Sequence, residues 1–386
     1  MNFEFFKKLN KKDKIFTVDN IMQLKTCDDF FRYIVERSQR AKEVYIACLA
    51  LGSDEKSNLL IHVLKERVKK GLKTVIFADK TRNVTDKPTM NILIENDLIP
   101  ITTFVDAEVC RFLPMRINEA LGVFHSKAYV FDSEVVISGA NLYKSYYVDR
   151  VDRYFVFNDV TFAEYIIKVI FDIKCNLTVS EYNLIRDKKI FNYNYLKNIN
   201  VNIVPFDNKN EVEILLKLFN SDFVEMHISS AYLNLRTRYI NSLKDKQVHL
   251  YAPAPENNTF NTFGFINRII TDVYGYSSFY TKSILPKCIM HEFVRNNHSF
   301  HKKGIWLFYK DCAINIIGSS NYNARSTLLD IEQNFILFTK DDKIIKLWKD
   351  ELAILKDDCK IRELVDLQSR RIFFIILIFY IFNFLF

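Results

Sequence analysis

Several absences narrow the reading before any motif is found. None of the seven cysteines (27, 48, 110, 175, 288, 312, 359) stands in a C-x-x-C pair, and their number is odd. That usage argues against a disulfide framework or a zinc site, and fits a reducing compartment with the thiols as small buried side chains. Glycine and proline are scarce, at 8 and 7 residues, while Phe, Ile, Asn and Lys abound. This reads as the bias of an AT-rich genome, so lysine or asparagine abundance carries little functional weight. No carboxylate cluster suited to a divalent metal is visible. The basic N-terminus, MNFEFFKKLNKKDKIF, lacks arginine and contains Glu4 and Asp13, which makes it a poor secretory signal and a marginal organelle presequence. The longest apolar stretch, Ile372 to Phe386 behind Arg370 and Arg371, has 15 residues and is broken only by Asn383. As a helix it would measure about 22 Å against a hydrocarbon core of about 30 Å, short for a full crossing. It shows no polar face, so membrane contact is expected rather than core packing.

What is present supports two ordinary domains: 386 residues, 49% of them hydrophobic. The net charge of +8 allows an anionic partner, whether nucleic acid, acidic lipid or phosphorylated substrate, without choosing among them. Thr26 to Asp29 forms a capping box ahead of a helix through Phe30, Ile34 and Val35. Val44–Leu51 reads as a buried strand, and Leu59, Leu60, Val63, Leu64 and Val68 as one helical face ending at Lys69, Lys70 and Gly71. Lys73–Ala78 is the next strand. The second half replays this order, with a helix over Val212–Phe219 and strands over Val224–Leu233 and Val248–Ala252. Strands alternating with helices predict an α/β fold.

The repeat is sharpest in chemistry-bearing residues. His125 and Lys127 stand two apart, placing both on one face of a strand, and Gly139, Asn141 and Asp152 follow. His301, Lys303, Gly318, Ser319, Asn321 and Glu332 repeat the set, 176 residues on at the histidine and 180 at the asparagine. Each acid lies eleven residues after its asparagine. Asp132 has no counterpart: Phe308 occupies the matching place, Asp311 follows three later, and the His–Asn gap lengthens from 16 to 20. Asp132 is therefore read as a structural hydrogen-bonding group.

Two histidines facing one phosphodiester suit nucleophilic attack through a phosphohistidine by one and acid–base work by the other. Lys127, Lys303, Asn141 and Asn321 would neutralise and hydrogen-bond the non-bridging oxygens. Asp152 and Glu332 are suited to accept from an imidazole Nδ1–H. No metal or other cofactor is required. His62, His227, His249, His291 and His298 are read as surface or satisfied core residues.

HSKAYVFD…GAN and HKKGIWLF…GSSN resemble the two HKD motifs of the phospholipase D superfamily. Within it, HSKAYVFDSEVVISGANLYKSYYVDRVDRYFVF, SFHKKGIWLF and IIGSSNYNARSTLLDIEQN are similar to the eukaryotic phosphatidylglycerophosphate synthases, in which the second motif also lacks its Asp. CLALG (48–52), FADKTRN (77–83), SSAYLNL (229–235) and APAPENNTF (252–260) extend the similarity over roughly residues 20–350. The resemblance implies two duplicated phospholipase D-like α/β units packed face to face with the active site at their interface. The expected organisation is a 1–19 extension, halves at 20–185 and 186–365, and a 366–386 basic and hydrophobic tail contacting membrane lipid. It also implies phosphatidyl transfer from CDP-diacylglycerol to sn-glycerol 3-phosphate with release of CMP. On that reading His125, from the complete motif, is the nucleophile, and His301 the acid and then the base.

Arg82, Arg150, Arg153 and Arg325 are candidates for substrate phosphates, with surface ion pairing an equal explanation. A phosphatidylserine synthase, a lipid phosphodiesterase, a nuclease and a non-enzymatic membrane scaffold are the alternatives. Nucleic acid is not the expected partner. The metal-dependent CDP-alcohol phosphotransferases are disfavoured, because no DG…AR…G…D…D array appears. By analogy the compartment is the mitochondrion or a reduced mitochondrial organelle, or else the endoplasmic reticulum membrane.

Overall fold

A computed structural model describes residues 5–6, 9, 15–84, 86–106, 122–172, 195–262, 264–368 and 373–382. The chain forms two compact units, one of residues 16–199 and one of 1–15 with 200–386. The expected 185/186 boundary, Cys110, Cys175, Arg370 and Arg371 lie outside the described residues.

In the first unit the capping box is present. Thr26 Oγ1 accepts from Asp29 N, and Asp29 accepts in return from Thr26 N, opening α1 (Cys27–Arg40). Strands β1 (Phe16–Leu24), β2 (Val44–Cys48), β3 (Thr74–Asp79), β4 (Thr102–Val105), β5 (Ala128–Phe131), β6 (Glu134–Ser138) and β7 (Tyr154–Asn158) follow. They lie in the order β1-β7-β6-β5-β2-β3-β4. The β2–β3 and β3–β4 pairs are parallel and the others antiparallel. Every residue of β2, β5 and β6 is buried, as an apolar strand covered on both faces requires. Helix α2 (Glu55–Lys69) crosses from β2 to β3 and buries Leu60, Ile61, Val63 and Leu64. Leu59, expected on that face, is exposed, because Ile61 takes the inward position instead. Arg67, near the end of α2, is buried. Its guanidinium donates to the carbonyls of Ser38, Ala41, Lys42 and Lys73 and to Thr74 Oγ1, closing α1 onto the sheet.

The second unit rebuilds this sheet. β8 (Leu196–Asp207) leads into it, followed by β9 (Glu225–Ser229), β10 (His249–Pro253), β11 (Ile289–Phe293), β12 (Gly304–Phe308), β13 (Ala313–Gly318), β14 (Gln333–Thr339) and β15 (Cys359–Arg362). Their order is β15-β11-β10-β9-β12-β13-β14-β8. Apart from the added edge strand β15, each position and each parallel or antiparallel choice matches the first unit. Helices α3 (Asn208–Phe219), α4 (Thr237–Leu243) and α5 (Phe265–Ile284) cover one face. α6 (Asp342–Asp357) lies on the other, its Glu351 accepting from Trp306 Nε1 of β12. Strand β9 ends at Ser229, earlier than the expected Leu233, because the chain then turns toward Asn321.

The duplication explains why the His–Asn gap grows by four. Two extra residues fall in the hairpin, which has two residues between β5 and β6 and four between β12 and β13; one more lengthens each flanking strand. Asp132 occupies the tight hairpin with φ of 54°, and its carboxylate accepts from Glu43 N at 2.9 Å and Lys42 N at 3.3 Å. Its role is structural. The longer second hairpin closes by a Tyr309 N to Cys312 O bond instead.

Both termini pack on the second core. Phe6 and Leu9 are buried there, and Phe6 stacks on Phe338. The tail carries α7 (Leu364–Gln368) and α8 (Phe373–Phe382). Ile375 and Phe379, one turn apart, are buried, with Phe379 against Tyr276 and Tyr280 of α5. Core packing thus claims one side of a segment expected to contact membrane instead, while Leu377, Tyr380 and Ile381 remain exposed. Among the described residues no helix is long and apolar enough to cross a membrane.

Candidate active site

Each unit carries a half-site at the carboxyl ends of its central parallel strands, where loops leave an α/β sheet free to meet a ligand. In the first, Asp79 closes β3 and is buried. One carboxylate oxygen accepts from Phe124 N at 2.8 Å, and the other from Arg82 N at 2.7 Å. The acid thereby fixes the residue immediately before His125. Asn83, one helical turn on, accepts from Leu51 N and donates to the carbonyls of Leu49 and Asp79. Asn141 Oδ1 accepts from Leu49 N at 3.1 Å, tying the second part of the motif to the same loop. His125 and Lys127 are buried together, and Lys127 Nζ donates to the His125 carbonyl at 2.5 Å. Asp152, also buried, accepts from Arg153 N. Its carboxylate oxygens lie 2.8 and 2.9 Å from where a Cβ on Gly139 would sit, so any larger residue there would have to displace the carboxylate.

The second half-site follows the same scheme with different fastenings. Ser229 Oγ donates to the Lys302 carbonyl and Ser230 Oγ to the Asn321 carbonyl, so the end of β9 holds both parts of the motif. Asn257 donates to the carbonyls of Arg295 and His298, pinning the approach to His301. Lys303 Nζ lies 2.9 Å from His301 Nδ1, 3.1 Å from Nε2 and 3.0 Å from the His301 carbonyl. The edge of His301 meets the Tyr232 ring at a centroid separation of 6.0 Å. Gly318 has φ of 154°, and a Cβ there would collide with Asn334. Ser319 Oγ accepts from Gln333 N. Glu332 is buried, and Asn321 Oδ1 is a buried acceptor with no partner among the described residues.

The arginines separate. Arg325 pairs with the buried carboxylate of Asp330 at 3.1 Å. Arg150 donates to Tyr143 OH and lies over the Tyr146 ring, and Arg153 is buried over Phe155. Arg82 lines a cavity of about 290 Å³ with Gly52, Asp54, Asp86 and Tyr143.

Sequence reasoning passed over Glu211. It sits on the buried face of α3 with Ile214, Leu215 and Leu218, and a carboxylate at that spacing among leucines was the available signal. It accepts from Tyr239 OH and Asn334 Nδ2 beneath the Gly318–Asn321 loop. Burial, partly offset by a hydrogen bond from Ser320 and reinforced by the Glu332 charge, pushes its pKa up to about 8.

No protein-family model matches the chain. The crystal structure of phosphatidylserine synthase from Haemophilus influenzae superposes with a TM-score of 0.71 at 17% identity, covering 89% of each chain. The fold is therefore that of this phosphatidylserine synthase, here a duplicated α/β architecture. Among curated relatives, the Saccharomyces pastorianus protein named CDP-diacylglycerol–glycerol-3-phosphate 3-phosphatidyltransferase is 26% identical, over 86% of this chain and 80% of its own. The human protein of that name, designated mitochondrial, is 21% identical over 82% of this chain and 73% of its own. More narrowly, then, the chain is similar to these eukaryotic proteins over most of its length.

Glu211 makes stability pH-dependent. Its folded pKa, about 8, lies above the ordinary 4.5, so folding takes up a proton between these values. The protonated acid's contribution is complete below pH 4.5 and is lost as pH rises through 8, at up to about 1.4 kcal/mol per pH unit. Urea unfolding between pH 5 and 9 is expected to show Glu211→Gln with a flatter stability profile than the parent. An identical slope would remove Glu211 as its source.

Proposed function

We propose that the chain transfers a phosphatidyl group from CDP-diacylglycerol to sn-glycerol 3-phosphate, giving phosphatidylglycerophosphate and CMP. The observation that carries the reading is that His, Lys and Asn, which lie in the loops flanking the hairpin strands and not on a strand face as expected, stand at matching positions in two matching sheets: each His three residues before its hairpin and each Asn three after it. The homologues' shared name supplies the donor and the acceptor.

In the proposed sequence an imidazole nitrogen of His125 attacks the phosphatidyl phosphorus. The bond from phosphorus to the bridging oxygen breaks, CMP leaves with the electron pair, and His301 supplies the proton. The 1-hydroxyl of glycerol 3-phosphate then attacks the phosphohistidine, its proton passing to His301 as the phosphorus–nitrogen bond breaks. Lys127, Lys303, Asn141 and Asn321 stabilise the non-bridging oxygens, for which buried donors are worth more than exposed ones. Asp152 and Glu332 orient the imidazoles, and Arg82, at its cavity, is the best placed of the four arginines to meet a substrate phosphate.

Purified protein is expected to make labelled lipid from CDP-diacylglycerol with labelled glycerol 3-phosphate, and to do so in EDTA. Product with serine or water alone, or none at all, would overturn the synthase reading, and loss of activity in EDTA the metal-free mechanism. With CDP-diacylglycerol labelled in its acyl chains and no acceptor, the parent should retain acid-labile label on the protein, and His125→Ala none. His301→Ala should lower turnover by roughly 10²–10⁴ with an unchanged circular dichroism spectrum. Label persisting in His125→Ala would move the nucleophile elsewhere.

The donor is a bilayer lipid, and the exposed side of the tail is suited to meet it. Leu377, Tyr380 and Ile381 of α8, with Leu364 and Val365 of α7, present apolar surface on helices too short to span. Together with the mitochondrial designation of the human relative, this supports a membrane-associated protein of a mitochondrion or mitochondrion-derived organelle. Replacing Leu377 and Ile381 with lysine is expected to shift the protein from anionic vesicle pellets to the supernatant while leaving its melting temperature unchanged. Unaltered sedimentation with vesicles would place the contact elsewhere.

A further inference from the structure

Away from the half-sites, three of the chain's seven histidines gather on one face of the second sheet. His227 of β9 and His249 of β10 are partners in the parallel register, and His291 of β11 is the partner of Tyr251, two residues beyond His249. The His227 and His249 rings stack at 4.6 Å, and those of His249 and His291 at 5.2 Å. His249 Nδ1 lies 2.9 Å from His291 Nε2. His227 Nε2 lies 2.7 Å from Glu225 Oε1, and its Nδ1 3.0 Å from Tyr251 OH. One donor atom each from Glu225, His227 and His249 fall within 4.8 Å of one another. His227 is fully buried, whereas the Glu225 side chain is 41% exposed, so the cluster opens to solvent on one side.

We propose that Glu225, His227 and His249 form a binding site for a first-row divalent transition metal of the Zn²⁺ or Co²⁺ class. Two imidazoles and one carboxylate are a donor set that such ions take, with solvent completing a tetrahedron. Tetrahedral ligands at 2.0–2.1 Å from a metal stand roughly 3.3 Å apart, so the site closes by side-chain adjustment without moving a strand. A metal on His227 Nε2 requires the ring proton on Nδ1, where the Tyr251 hydroxyl oxygen accepts it. His291, bonded to the other nitrogen of His249, orients that ring, as outer partners of metal-bound histidines do. Among the described residues, Lys356 of α6, 3.7 Å from Glu225 Oε1, is the one lysine or arginine paired with the cluster's carboxylate, and at 39% exposure it is able to swing away.

The cluster occupies the amino ends of β9 and β10, whereas Ser229, at the carboxyl end of β9, holds the His301 loop. The metal would therefore brace the sheet and take no part in phosphatidyl transfer. The expectation that these histidines are ordinary core or surface residues does not anticipate their convergence.

The full chain, stripped with chelator and dialysed, is to be titrated with Co²⁺ while visible d–d absorption is recorded, and with Zn²⁺ by calorimetry and thermal shift. One equivalent is expected to bind, with intense tetrahedral-type bands and a raised melting temperature. His249→Ala and Glu225→Gln should each weaken binding tenfold or more, His291→Ala by about tenfold, and Lys356→Met should tighten it. Glu225 is partly exposed, so its variant keeps the test open if a histidine variant fails to fold. No saturable binding at 100-fold excess metal, or equal affinity in His249→Ala and Glu225→Gln, would overturn the proposal.

Discussion

A buried ammonium has to be met by acceptors, and the half-sites are built around two of them. Lys127 and Lys303 are almost fully buried, and removing such a cation from water costs several kcal/mol unless partners replace the solvent. In both halves the lysine turns back onto the carbonyl of the histidine two residues before it. That bond fixes the backbone carrying the imidazole while keeping the positive charge beside it. Everything nearby serves the arrangement. The strands are covered on both faces to exclude water, and the loops at their carboxyl ends are fastened by buried polar side chains. A dry site of fixed dipoles is what charge redistribution on phosphorus requires, because donors already in place need no reorganisation as the reaction proceeds.

The two halves keep this core and change its fastenings. In the first, a carboxylate (Asp79) and two carboxamides (Asn83 and Asn141) hold the loops. In the second, two serine hydroxyls and Asn257 do so. Asp132 shows why the third letter of the motif is expendable. Its carboxylate braces a two-residue hairpin against the start of β2, and the four-residue hairpin of the second half closes through its own backbone. The groups that would touch a phosphate are retained twice, while those that only shape a turn are free to diverge.

Much of this was legible in the chain. The α1 capping box, the Gly71 stop after α2 and the apolar runs of β2, β3 and β10 follow from local rules, since capping and burial act over a few residues. The paired His, Lys and Asn were legible because repetition separates signal from noise. Asp79, Glu211 and Asn257 were not, although two of them lie within stretches already noted for their similarity. Their importance comes from partners 38 to 123 residues away, backbone groups for Asp79 and Asn257 and a side-chain amide for Glu211, and no local pattern encodes that distance. The tail was legible only in part, for a related reason. An all-apolar helix looks the same whether it faces lipid or protein, and only the Tyr276 and Tyr280 surface of α5 shows that Phe379 has a protein partner.

The histidine cluster is the clearest case of meaning created by register. His227, His249 and His291 are separated by 22 and 42 residues, with no metal-binding spacing. Parallel pairing of β9, β10 and β11 brings them to one face because each lands on a position of the same parity. The same pairing sends Ser229 and Ser230 toward the other end, where β9 holds the His301 and Asn321 loops. One short strand thus separates two chemistries by its direction alone. Phosphoryl chemistry gathers at the carboxyl ends, where loops bring buried cations to the histidines, and the amino ends hold neutral imidazoles suited to a cation of their own. A metal at the amino end would stiffen the strand whose far end holds the second half-site, which gives a brace at that position a reason to be there apart from the proposed transfer chemistry.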